Sequence, residues 1–173
     1  MESKLPKIMF GAVVAVVTAA AQPAYSQAIE VLGEFRDWAA YRLVENGNDT
    51  CYMASQPKTE KGDYKKRGDI YAMVTHRPAE DRRDEVSIIA GYDYQKDSAV
   101  DVKIGKTNFE LFTQGGRAWA PDSQADQKIV KAMIKGRTMV VKGVSTRGTE
   151  TADTYSLSGF TKAYQTITKA CKL

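Results

Sequence analysis

The chain has one histidine and two cysteines, so its most chemically versatile side chains, His76, Cys51 and Cys171, are few and far apart. A metal site needs several converging thiolate or imidazole ligands. Here both thiols are expected to be oxidised, and no metal or cofactor is assigned. A serine triad would have to use His76, yet no G-x-S-x-G elbow is present to expose a nucleophile. In Thr75-His76-Arg77-Pro78 the histidine reads as a polar strand-end residue. Gly105-Lys106-Thr107 imitates the end of a phosphate-binding loop, but the glycine required five positions earlier is Val100, and Phe109 opens a strand instead of a helix. It is a hairpin turn. Carboxylates are plentiful, and none falls in an apolar setting that predicts a raised pKa and acid–base work. These residues point away from an enzyme.

Two segments are candidates for binding. Lys58, Lys61, Lys65, Lys66 and Arg67 form a basic run around Tyr64, diluted by Glu60 and Asp63. Gly62, Gly68 and the lack of apolar periodicity make it a loop. Its diffuse charge suits lipid headgroups, lipopolysaccharide phosphates or an acidic protein, in a contact that salt weakens. A merely solvated loop is the competing reading. The second segment is the Thr/Ser-rich hairpin around Arg147, Thr149, Thr151 and Asp153. It sets short hydroxyls, one arginine and one carboxylate on a rigid strand pair, which suits specific hydrogen bonding. Ordinary strand and turn composition is the alternative there. If the hairpin binds, Arg147→Ala and Asp153→Ala should leave stability nearly unchanged while weakening association. Arg77, Arg82 and Arg83 are offset by Glu80, Asp81, Asp84 and Glu85, which reads as a surface ion-pair region. Trp38 is a core anchor, whereas Trp119, between Gly116 and Pro121, fits either core or an exposed groove.

Short strands must position these residues. Val100, Val102 and Ile104 alternate with Asp101 and Lys103, the period of a half-buried strand. Similar segments are 35–44, 50–55, 70–75, 86–94, 109–113, 138–145 and 151–157, separated by turn residues at Asn46-Gly47-Asn48-Asp49, Gly115-Gly116 and Arg147-Gly148. The pattern predicts a mainly β fold, an antiparallel sandwich or barrel in one domain. Two short helices interrupt it. One spans 123–135, capped by Asp122 or Ser123 and ended by Gly136, with Ala125, Ile129, Val130, Met133 and Ile134 as its apolar stripe. Asp126 early and Lys135 late complement its dipole. The other spans 159–170, capped by Ser158, with Phe160, Ala163, Tyr164, Ile167, Ala170 and Cys171 on one face. Cys171 follows Phe160 by eleven residues, almost three whole turns, so both face the sheet.

The N-terminus sets the compartment. Lys4 and Lys7 precede an apolar run from Ile8 to Ala21, and Ala24-Tyr25-Ser26 supplies the small residues of a cleavage site. The run is too short for a transmembrane helix, which needs ~20 residues. Residues 1–26 are therefore expected to be a removed signal peptide, and 27–173 a single exported domain. An even cysteine count in an exported chain favours a Cys51–Cys171 disulfide. Closing a loop of that length is worth up to ~5 kcal/mol by chain entropy. The formal charge of +4 weakly favours acidic partners and argues little else, and the export signal and absence of a recognition motif argue against nucleic acid.

Phe35-Arg36-Asp37-Trp38, Arg77-Pro78-Ala79-Glu80 before Glu85-Val86-Ser87-Ile88, Ala118-Trp119 and the run VVKGVSTRGTETADTYSLSGF ending at Phe160 resemble the invasion-associated locus B family. The resemblance implies an immunoglobulin-like β-sandwich, an exported alphaproteobacterial protein of the periplasm or outer envelope, and a link to host-cell entry. It brings no agreed catalytic residues. Where many relatives carry a further cysteine, this chain has Tyr41-Arg42, so a second disulfide is not expected. Two functions fit: a non-enzymatic envelope protein that binds a macromolecular partner, or a periplasmic accessory or inhibitor module.

Overall fold

The structure, a computed structural model, describes residues 29–173; the expected signal peptide lies outside them. The described chain is mainly antiparallel β, as its alternating segments predict. The first strands are β1 (Ile29–Phe35), β2 (Trp38–Glu45), β3 (Asn48–Ser55), β4 (Thr59–Gly62), β5 (Tyr71–Arg77) and β6 (Arg82–Ile89). They are followed by β7 (Ala99–Ile104), β8 (Thr107–Gln114), β9 (Arg117–Trp119), β10 (Thr138–Val144) and β11 (Glu150–Ser156). Helices α1 (Ser123–Lys135) and α2 (Phe160–Ala170) complete the fold. Hydrogen bonding joins all strands into one sheet in the order β1-β2-β3-β5-β6-β9-β8-β7-β10-β11-β4.

Alternation explains which face turns inward. On β7, Val100, Val102 and Ile104 are buried while Asp101 and Lys103 stay exposed, and the Gly105-Lys106 turn carries the chain into β8. The inward residues of β2, β3, β5 and β6, among them Trp38, Met53, Val74 and Ile88, join the same core. Both helices close over it. Three inward side chains of α2, Phe160, Ala163 and Ile167, have no exposed surface, and burying a side chain the size of Phe or Ile stabilises by about 1.5–3 kcal/mol. Trp38 is the anchor its composition suggests. Its indole N–H donates to the Ser156 carbonyl at 3.0 Å, and its ring meets Phe160 edge-on at 4.9 Å.

Several local expectations are corrected. The predicted strand over 35–44 starts only at Trp38, as β2; Arg36-Asp37 is a turn, with Arg36 at φ 58°, and the strand before it, β1, was not expected. The 3.6-residue stripe of α1 excludes Ile134, which is 39% exposed. Asp122 caps α1 by accepting the Ala125 N–H at 2.8 Å, but Ser158 does not cap α2. Gly159 does so from φ 92°, with its Cα so close to the Phe35 carbonyl oxygen that a Cβ would overlap it. Only glycine fits there, and the contact ties α2 to β1. Thr59–Gly62, read as loop, is an edge strand paired to β11 with every residue exposed. Its backbone pairing leaves no apolar signature.

Cys51 on β3 and Cys171 at the end of α2 form the expected disulfide, across 120 residues of chain. His76, the strand-end polar residue expected near the end of β5, lies beside it and is fully buried. Its Nδ1 accepts the Asp84 N–H at 3.1 Å, so the proton sits on Nε2, which reaches the Thr168 hydroxyl at 3.2 Å. Burial holds its pKa below the usual imidazole range against the opposing pull of Asp84. The histidine is a neutral polar tie between β5 and α2.

Candidate functional site

The two binding segments, far apart in sequence, line one cleft of about 620 Å³. Lys65, Lys66 and Arg67 come from one wall, and Arg147, Thr149 and Thr151 from the other. The floor is built around Arg67. Its guanidinium donates to both carboxylate oxygens of Asp153, at 2.7 and 2.6 Å, and its Nε donates to the Ala90 carbonyl at 2.6 Å. The rings of Tyr64 and Tyr92 flank it at 5.4 and 4.9 Å. Burial works against the charge of Arg67, but the hydrogen bonds and charge of Asp153 outweigh it and hold the arginine above its ordinary titration range. The loop is pinned further by the Gly68 N–H, which donates to the Gly91 carbonyl at 2.8 Å. Gly91 has φ 72°, and a Cβ on it would strike the Gly68 carbonyl.

The hairpin wall is equally ordered. The Tyr92 and Thr151 hydroxyls share a hydrogen bond of 2.6 Å. Ser145 Oγ accepts the backbone N–H groups of Arg147 and Thr149 at 3.3 and 3.2 Å, closing the turn from inside. Lys65, Lys66 and Arg147 are exposed and form no salt bridge among the described residues. The cleft thus has a neutral, rigid floor and three free cations at its mouth, with Asp63 and Asp93 also on its lining.

This geometry separates the predicted site residues. Lys65, Lys66, Arg147 and Thr149 can meet a partner. Arg67 and Asp153 have side chains only 4% and 3% exposed; they hold the walls together, so the basic run is not diffuse charge throughout. The expectation that Asp153→Ala leaves stability unchanged is corrected for the same reason. No periodicity marks this pair, since the register of β11 and the path of the loop bring its members together.

A second group escaped the sequence reading. Asp126, in the first turn of α1, is 9% exposed and accepts the Val86 N–H at 2.8 Å. β9 pairs with β6 only as far as Ser87, and the chain leaves the sheet at Ala120-Pro121. The Asp126 carboxylate supplies the acceptor that a longer β9 would have given. Burial raises its pKa to about 6, although the Val86 bond pulls the other way. A carboxylate in an apolar setting is therefore present after all. The turn signals at Pro121 and Asp122 were the only hint, and they indicated a helix start. Trp119 is half-buried, stacked on Phe112 at 5.7 Å.

Among the described residues no cluster of three or more His, Cys, Asp or Glu is arranged to hold a metal ion, and no helix is long and apolar enough to cross a membrane. Neither the curated proteins nor the solved structures yield a match to the chain. The family described as Invasion associated locus B (IalB) protein matches residues 38–168. That span runs from the Trp38 anchor to Thr168 on α2 and includes both walls of the cleft, and the chain belongs to the invasion associated locus B family.

Proposed function

We propose that this protein is an exported, non-enzymatic envelope protein that binds an acidic macromolecular partner through the Lys65–Lys66–Arg147 cleft, in a role connected with host-cell entry. Family membership and the Cys51–Cys171 disulfide support export. The observation that carries the binding reading is the convergence of two candidate segments on one cleft with unpaired cations over a fixed floor. Rigid positioning lowers the entropy lost on binding, and exposed lysine and arginine steer acidic surfaces at long range.

Crosslinking in intact envelopes, followed by capture of the protein, tests the reading. The parent should yield a discrete adduct that is lost in Lys65→Glu/Lys66→Glu and in Arg147→Glu and that fades with rising salt. Adducts of equal yield from parent and charge-reversed variants would remove the cleft from the account.

A further inference from the structure

A second cleft, also of about 620 Å³, opens between the β8–β9 hairpin and the start of α1 and shares no lining residue with the first. Its wall is aromatic. Phe112, 49% exposed, lies against Trp119 with ring centroids 5.7 Å apart and planes 25° from parallel. Arg117 adds a guanidinium 5.9 Å from the Trp119 ring centre. Large rings left facing water next to one another mark a contact surface.

The polar rim is charged but balanced, four arginines against four carboxylates. Arg77 and Arg82 both donate to Glu85, at 2.7 and 3.0 Å. A guanidinium has five N–H donors, so each is oriented by its pair and still has donors to spare. Asp126 adds an acceptor. Its Oδ1 is taken by Val86, while Oδ2 has no hydrogen-bond partner among the described residues, in a side chain nine-tenths buried at the cleft wall.

An ionic ligand calls for a rim of one sign, which this is not. A purely apolar ligand would strand the oriented donors and acceptors. A ligand with a flat C–H face and a ring of groups that each donate and accept uses the aromatic wall, the guanidiniums and the carboxylates together, and hydroxyls are such groups. We propose that this cleft binds a neutral saccharide, stacked on Phe112 and Trp119 and hydrogen-bonded by Arg82, Glu85 and Asp126. A proline-rich peptide would also stack on the rings, but its imide nitrogens carry no N–H to give the carboxylates.

Trp119 provides the readout, because the other tryptophan, Trp38, is buried at 1% exposure. The full exported chain is titrated with maltotriose, mannotriose and chitotriose at millimolar concentration, following tryptophan fluorescence and calorimetric heat. At least one sugar should give a saturable response. Phe112→Ala should weaken that response roughly tenfold by removing one stacking face, with the melting temperature only slightly lowered because half of the ring already faces solvent. Asp126→Asn, which keeps the acceptor for Val86, should weaken it as well, and Lys65→Ala in the other cleft should not. Three results would overturn the assignment: no response to any of the sugars, equal affinity in Phe112→Ala, or a response confined to a proline-rich peptide or to sulfated dextran.

Discussion

Arg67 and Asp153, 86 residues apart in the chain, meet in a two-bond ion pair at 2.7 and 2.6 Å. One comes from the loop after β4 and the other from β11, so this pair joins the two walls of the basic cleft. Both side chains are almost wholly enclosed. The charges that look most like a binding patch in the sequence are thereby divided into a structural pair below and free cations above.

Removing one member of such a pair leaves the other buried and uncompensated, which costs about 3–5 kcal/mol. Arg67→Ala and Asp153→Ala should each lower stability by that order in urea unfolding. The double variant Arg67→Met/Asp153→Leu should recover most of the loss. Single variants as stable as the parent would mean that the Gly68–Gly91 contact alone anchors the loop.

Asp126 gives stability a pH dependence of defined sign. Its folded pKa, about 6, lies above the 3.8 of an ordinary aspartate carboxyl. The folded protein therefore takes up a proton before the unfolded chain does, and this group's contribution rises as pH falls through about 6 and levels off below 3.8. His76, with a lowered pKa, acts oppositely below 6.5, because the unfolded chain protonates first. Asp126→Asn isolates the first effect: it should be more stable than the parent at pH 7.5, by a margin that shrinks towards pH 5. A margin independent of pH would show that the carboxyl stays ionised throughout.

How legible the fold was depended on how local its causes are. The β7 alternation, the Asp122 cap and the Phe160–Cys171 spacing are short-range patterns that stand in the structure as read, and the turn expected over 46–49 narrows to Asn46-Gly47 because β3 begins at Asn48. β4 was invisible because it pairs only through its backbone, and the Arg36-Asp37 turn because its positive φ falls on an arginine, with no glycine or asparagine to mark it. The cleft was half legible. Both walls were named, but their meeting depends on the β10–β11 register and on the buried Arg67, which no local pattern encodes. Asp126 looked like a dipole-complementing residue, and it is one, yet its bond to Val86 follows from where β9 stops.

The disulfide closes nearly the whole described chain. Cys171→Ser should lower the unfolding midpoint under oxidising conditions, reflecting a loss of stability of up to ~5 kcal/mol in the chain-entropy limit. Reductant should shift the parent towards the variant and leave the variant itself unmoved. Two free thiols titrated in the denatured, unreduced protein would contradict the pairing.

Export predicts a processed N-terminus. Mass spectrometry of protein recovered from envelope fractions should begin at Gln27. Intact Met1 in those fractions would remove the export argument.

The central claim is that the basic cleft engages a partner in the envelope. A photo-crosslinking residue placed at Thr146, exposed on the hairpin beside Arg147, tests it most directly against the same residue at Lys103, an exposed position on β7 outside both clefts. On illumination of intact cells, the Thr146 position should give a discrete high-mass adduct that Lys65→Glu/Lys66→Glu abolishes, while the Lys103 position gives none. Adducts of equal yield at both positions, or none at Thr146, would contradict the account.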